Sequence, residues 1–321
     1  MTTRATQAAS RLLRICAGLK SNETLLVISD TNVASEIPLT IASVGMKLAR
    51  EVITIIMKPR TLPGGEPPPP VTAAMLKSDV IVCATSTTLF HTIAKGVACK
   101  NGARLISMTG IIPSVLTSNA MFADFDRQKK VVERVAACLT RAKRIHLTGQ
   151  AGTDLKLDVT GRKGFAVTGV CRKPGDSQGV PDIEAYIAPV EGSANGRLVV
   201  DGSTSVTGLA KSPITLDIEN GMVKRIRGGT QGTRLLNILR HTRSSNALRV
   251  GEFGIGLNPR ARFRGAIIED EAVLGTAHIA LGDNHLFGGR NKAPIHVDLV
   301  IREPRVELDG RTILLGRRLL L

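Results

Sequence analysis

Residues 24–57 read TLLVISDTNVASEIPLTIASVGMKLAREVITIIM, and this stretch decides the fold class. Two runs rich in β-branched residues, Thr24-Leu-Leu-Val-Ile-Ser29 and Val52-Ile-Thr-Ile-Ile-Met57, flank a helical pattern from about Ala34 to Arg50. Apolar runs of this length without alternation suit strands covered on both faces, as in a parallel sheet. The rhythm continues outward. An amphipathic segment, Thr6 to Leu19, precedes it; Asp79-Val-Ile-Val-Cys-Ala84 follows as a third strand, Leu89 to Lys100 as a helix closed by Asn101-Gly102, and Ala103-Arg-Leu-Ile-Ser-Met108 as a fourth strand. Strand and helix in alternation predict a mostly parallel sheet with helices on both faces. The proline-rich run Pro63 to Pro70 reads as a stiff extended spacer, because proline fixes φ and lacks an amide donor.

Beyond Phe125 to Lys143, a charged amphipathic helix, the character changes. Short β-like segments now alternate with Gly, Asp and Asn turns: Arg144-Ile-His-Leu-Thr148, Asp154 to Thr160, Arg197-Leu-Val-Val-Asp201, and Ile214 to Glu219 before Asn220-Gly221. A helix from about Thr230 to Arg243 interrupts them. The expected organisation is an N-terminal α/β layer domain, 1–143, followed by a β-rich α+β metal-binding domain, 144–321. A chain of 321 residues supports two cores.

Composition narrows the class further. The five cysteines (Cys16, Cys83, Cys99, Cys138, Cys171) are widely spaced and never form a Cys-x-x-Cys pair, which argues against a disulfide scaffold or a thiolate zinc site and for a reducing cytoplasm. The first residues show neither a basic-then-apolar run nor a small-residue cleavage site, and no apolar run reaches the roughly 20 residues of a membrane helix, so a soluble intracellular protein is expected. The net charge of +16 comes from scattered Lys and Arg without tryptophan and with one tyrosine, Tyr186, so a basic solvated surface suited to small anionic substrates is expected rather than a nucleic-acid platform.

The chemistry gathers between Gly251 and Val300. Three of the six histidines, His278, His285 and His296, fall in this stretch, with Glu252 ahead of the Gly-rich Phe-Gly-Ile-Gly-Leu segment. His296 and Asp298 lie two apart in the strand-like run Pro294 to Ile301, so both side chains leave one face. Imidazole with carboxylate suits Zn, Fe, Mn or Co, and the clustering points to a metal site. The acidic triplet Glu269-Asp270-Glu271 reads as a solvated turn, with Glu271 a candidate support for the site. Asp283-Asn284 reads as a turn beside His278 and His285.

Four blocks carry a family resemblance: Glu184-Ala-Tyr-Ile-Ala-Pro-Val-Glu-Gly192, Gly251-Glu-Phe-Gly-Ile-Gly-Leu-Asn258, Glu269 to Gly282, and His296-Val-Asp298. Together they resemble the aminopeptidase T family of metallopeptidases. The resemblance implies a two-metal site (Zn, Co or Mn) with Glu184, Glu252, His278, His296 and Asp298 as ligands, a homodimer, and a peptide or small amide as substrate. It further implies a metal-activated water as the attacking group, with Glu184 or Glu252 as proton shuttle. At His285 that family has tyrosine; imidazole there is a candidate ligand or acid/base group. Gly254-Ile-Gly-Leu-Asn-Pro-Arg-Ala261 and Gly282-Asp-Asn284, with His296-Val-Asp298, also resemble the 2,5-dihydroxypyridine dioxygenases, which use one non-haem Fe(II) to open a pyridine ring. There the position matching Glu252 is histidine. Hydrolysis is the first expectation, because a Glu, His, Asp set departs from the two-histidine, one-carboxylate arrangement of oxygen-activating iron; ring-opening dioxygenation is the second.

Overall fold

Thr24–Asp30 lies inside the first sheet, second in its order, with all seven residues buried, and strand and helix alternate along this part of the chain as the pattern anticipates. The computed structural model describes residues 3–61, 64–90 and 92–321; Pro63 and His91 therefore lie outside the described residues. The chain divides into two compact units, one of residues 1–129 with 168–182, the other of residues 130–167 with 183–321.

The first unit is built on a five-stranded sheet in the order Glu51–Met57, Thr24–Asp30, Val80–Ala84, Arg104–Ser107, Ser177–Gly179. Every pairing is parallel. Leu26, Ile28, Ile81, Cys83 and Leu105 pack with Val71 and Met75 of the helix Pro69–Met75 and with Ala94 and Ala98 of the helix Ile93–Lys100. Thr92 caps that second helix, its hydroxyl accepting from the Lys95 amide at 3.2 Å, so the helix starts four residues later than the periodicity predicts. The helix expected from Ala34 to Arg50 closes as Glu36–Gly45. Gly45 is pressed against the sheet there, since a Cβ would fall 2.5 Å from Leu25 Cδ2.

Two features of this unit depart from the sequence reading. Glu51–Met57 is an edge strand rather than a buried one, with Ile53 40% and Ile56 51% exposed, because a sheet neighbour covers only one side. The fifth strand, Ser177–Gly179, returns from a segment far along the chain and is too short for a hydrophobic period to reveal.

The second unit holds two antiparallel-rich sheets. Eight strands run in the order Met222–Arg227, Ile214–Glu219, Asn195–Val200, Asp154–Asp158, Arg144–Thr148, Arg305–Leu308, Arg311–Leu315, Arg318–Leu319. Ile214–Glu219 alternates buried and half-buried residues, as a sheet with one covered face requires. Seven strands form the other sheet: Gly208–Leu209, Ser203–Thr204, His296–Arg302, Thr276–Gly282, Val250–Gly256, Glu184–Ile187, Gly164–Val167. Val250–Gly256 and Thr276–Gly282 are buried throughout. The whole is an α/β fold with a parallel sheet and a β-rich region. Among the described residues, no helix is long and apolar enough to cross a membrane.

Candidate metal centre

Sheet register alone brings the predicted residues together. Directly opposed residues of an antiparallel pair share a face. His296 opposes Gly282, Asp298 opposes Ala280, and Val300 opposes His278. On the other side of that strand, Glu252 opposes Ala280 and Gly254 opposes His278. Gly256 then opposes Glu184, and Gly254 opposes Tyr186. One face of four adjacent strands thus carries Glu184, Glu252, His278, His296 and Asp298, separated by Gly or Ala at the intervening positions. The small residues leave the room that the larger ones use: a Cβ on Gly254 would fall 2.1 Å from His278 Nε2.

The distances show one connected group. His278 Nε2 lies 3.2 Å from Glu184 Oε2 and 3.3 Å from Glu252 Oε1. The other oxygen of Glu252 is 3.6 Å from His296 Nε2, which in turn is 3.1 Å from Asp298 Oδ1. Glu252 therefore faces both imidazoles. Glu184 and Glu252 are each 6% exposed and His278 1%, and ligand-capable atoms of these three all lie within 4.8 Å of one another. His296 and Asp298 are more open, at 27% and 15% of side-chain surface.

These residues fit a divalent metal ion. Burying three carboxylates on one face is costly unless cations meet them, and among the described residues neither Glu252 nor Asp298 pairs with lysine or arginine. The strain falls on the histidines. Burial opposes the His296 cation, but the charge and hydrogen bond of Asp298, with the charge of Glu252, outweigh it and push the imidazole up to about 10. Burial would raise Asp298, yet the His296 and His278 rings hold it below the usual carboxylate range. His278 Nδ1 is buried without a hydrogen-bond partner among the described residues, so this ring is fixed by packing and by what its Nε2 meets. His296 is oriented differently: its Nδ1 lies 2.8 Å from the main-chain oxygen of Asp283 and donates to it, which turns Nε2 towards the carboxylates. Cavities of about 970 and 570 Å³ elsewhere in this unit, lined respectively by residues around Arg227–His241 and around Phe263 and Arg302, contain no such convergence of donors.

Asp283 links His285 to His296. The His285 side chain is 40% exposed, and Nδ1 lies 2.8 Å from each carboxylate oxygen of Asp283. Asp283 is thus more than a turn residue: its carbonyl holds His296, and its carboxylate holds His285 and accepts from the Ala293 amide at 3.0 Å. Sequence reading missed this dual role, since nothing in the spacing distinguishes Asp283 from an ordinary turn aspartate. The acidic triplet also needs correction. Glu269 and Asp270 are fully buried, not solvated. Glu269 accepts from the Arg262 amide at 3.0 Å and pairs with Arg264, while Asp270 accepts from the Arg264 and Gly265 amides, so the pair ties down the loop before it.

The sequence profile of 2,5-dihydroxypyridine 5,6-dioxygenase matches residues 4–320. The chain belongs to that family. A member of it, the 2,5-dihydroxypyridine 5,6-dioxygenase of Pseudomonas putida KT2440, is 24% identical over 240 residues, which is 71% of this chain and 67% of that protein. The solved structure titled 2,5-dihydroxypyridine dioxygenase from the same organism superimposes with a TM-score of 0.84 at 20% identity, covering 100% of this chain and 98% of the other. Wild-type AmpT from Thermus thermophilus superimposes with a TM-score of 0.68 at 16% identity, covering 99% of each chain, and this shows a shared fold alone. The expectation of an aminopeptidase-like metalloprotease is therefore overturned: both the family and the curated relative are dioxygenases, not hydrolases. The expectation had rested on a resemblance of short blocks around Glu184, Glu252 and His278, whereas the family match spans residues 4–320.

Proposed function

We propose that this chain is an iron(II)-dependent dioxygenase that opens the ring of a hydroxylated pyridine. The observation that carries the reading is the family match over residues 4–320, coinciding with a buried Glu184–Glu252–His278 group that can hold a metal ion. Glu184, Glu252, His278, His296 and Asp298 would hold the iron. Their hard oxygen and imidazole donors suit Fe(II) and make thiophilic metals poor competitors. Bound there, iron(II) would supply the one-electron chemistry that lets dioxygen react with a closed-shell aromatic ring.

The side chains supply the rest. Three carboxylates offset the ion's charge, and Glu252, facing both imidazoles, ties the two sides of the cluster together. The Asp283 carbonyl fixes His296 in the tautomer whose Nε2 can act as a donor. With its Nδ1–H directed at the Asp283 carboxylate, His285 presents Nε2 for accepting a proton from a substrate hydroxyl and returning it. The buried strands Val250–Gly256 and Thr276–Gly282 keep water from the inner donors.

Protein reconstituted anaerobically with iron(II) is expected to consume 2,5-dihydroxypyridine only when oxygen is admitted. The His296→Ala/Asp298→Ala double variant is expected to lose both iron and turnover. Full iron retention in that variant, or substrate loss without oxygen, would refute the assignment.

A further inference from the structure

The chain has seven phenylalanines, one tyrosine and no tryptophan, yet three of those rings form a continuous row that ends on a proposed metal ligand. Phe165 stacks on Tyr186 with centroids 5.4 Å apart and planes inclined by 18°. Tyr186 meets Phe287 edge-on at 5.4 Å, and Phe287 meets the His296 ring edge-on at 6.0 Å. Register places the row on the same face as the donors, since Phe165 opposes Tyr186, Tyr186 opposes Gly254, and Gly254 opposes His278. Tyr186 is also two residues from Glu184 on one strand, and so shares its face.

The Phe287 end is held rigidly. At the base of its loop, the Asn284 side-chain oxygen accepts from the Asn291 amide at 2.8 Å, and the Asn291 side chain donates to the carbonyls of Asn246 and Gly282. At the tip, Arg162 donates to the Gly288 carbonyl and pairs with Glu191, whose other oxygen accepts from the Arg290 amide. A ring fixed at both ends of its loop and packed beside a metal donor is a preorganised surface. Aromatic rings prefer to receive other planar rings edge-on or offset, an attraction worth about 0.5–1.5 kcal/mol beyond the area buried.

We infer that Phe165, Tyr186 and Phe287 form the wall that receives the planar ring of the substrate, and that Phe287 and Tyr186 set its selectivity for aromatic over saturated rings. The assignment rests on the proposed dioxygenase reading for its substrate, but its test is separable. Because Tyr186 is the only tyrosine and tryptophan is absent, tyrosine emission, excited to the red of phenylalanine absorption, reports on this row. The iron-loaded protein, kept anaerobic, is titrated with 2-hydroxypyridine and with the saturated lactam 2-piperidone, with correction for probe absorbance. The expected result is saturable quenching by 2-hydroxypyridine and binding of 2-piperidone weaker by about tenfold.

Phe287→Leu, with unchanged iron content and far-ultraviolet dichroism, is expected to remove most of that preference and to raise KM for 2,5-dihydroxypyridine more than it lowers kcat. Phe287→Tyr is expected to restore both. Equal binding of the two probes, or an unaltered preference and KM in Phe287→Leu, would overturn the wall. Aromatic-selective quenching that depends on Phe287 without any oxygen uptake would support the wall and refute the dioxygenase reading. Oxygen uptake with an unaltered Phe287→Leu KM would do the reverse.

Discussion

Adding one methyl group at Gly254 is the smallest change that reaches the proposed metal donors. The new Cβ would sit 2.1 Å from His278 Nε2, so the imidazole that now lies 3.2 and 3.3 Å from Glu184 and Glu252 must shift. Gly254→Ala is expected to weaken iron(II) binding about tenfold to a hundredfold, read by competition with a chromogenic chelator, while the far-ultraviolet dichroism stays that of the wild type. Unchanged affinity would show that His278 is not a ligand. At this scale the sequence was most legible where strand parity operates: His296 and Asp298, two apart, share a face in the structure as the alternation requires. It was least legible where a main-chain atom acts. No pattern announces that the Asp283 carbonyl holds His296, or that Glu269 and Asp270 are buried to organise the loop before them.

Elements place these residues, and the loop 283–293 shows how. Asn284 is fully buried; its side-chain amide donates to the Gly251 carbonyl at 3.0 Å and its oxygen accepts from the Asn291 amide. Gly289 must approach it without a side chain, since a Cβ would lie 2.0 Å from the Asn284 carboxamide. Asn284→Ala leaves two buried main-chain groups without partners and is expected to cost about 3 kcal/mol of stability, measured by denaturant unfolding. Amide exchange over residues 285–290 should rise in the same variant, and a loop that exchanges no faster would contradict the locking role. Of the strands bearing the candidate donors, His296–Arg302 was anticipated from its alternating run, whereas Glu184–Ile187, Val250–Gly256 and Thr276–Gly282 were not read as strands, being short or interrupted by glycine. Ser177–Gly179 and the two-residue strands were not, because a period cannot be read from so few residues.

Across the whole molecule, fold and chemistry part company. The same architecture serves a dioxygenase from Pseudomonas putida and AmpT from Thermus thermophilus, so the α/β pattern read from the alternating strands and helices carried no information about the reaction. The blocks around the candidate donors pointed to hydrolysis, which the family match over residues 4–320 overturns. Stability, in contrast, is distributed. In the first unit Arg104, 5% exposed at its side chain, donates to both oxygens of Glu23 at 3.0 and 2.6 Å. Burial raises the Glu23 carboxyl, but these bonds and the Lys20 amide outweigh it and hold it below 4.5. A depressed folded value means that the stabilisation is complete above about pH 4.5 and fades as pH falls through the lower folded value. Glu23→Gln is therefore expected to lose about 2 kcal/mol at neutral pH, between a surface pair and a buried one, with its Tm converging on that of the wild type in acid. A constant difference down to low pH would contradict this.

The fate of isotopic oxygen decides whether this chain opens a pyridine ring with dioxygen. Iron(II)-loaded protein is given 2,5-dihydroxypyridine under ¹⁸O₂, and the ring-opened product is weighed by mass spectrometry. Both labelled atoms are expected to enter one product molecule, and His296→Ala is expected to form none. Label arriving only from water, or a product formed without oxygen, would contradict that reaction.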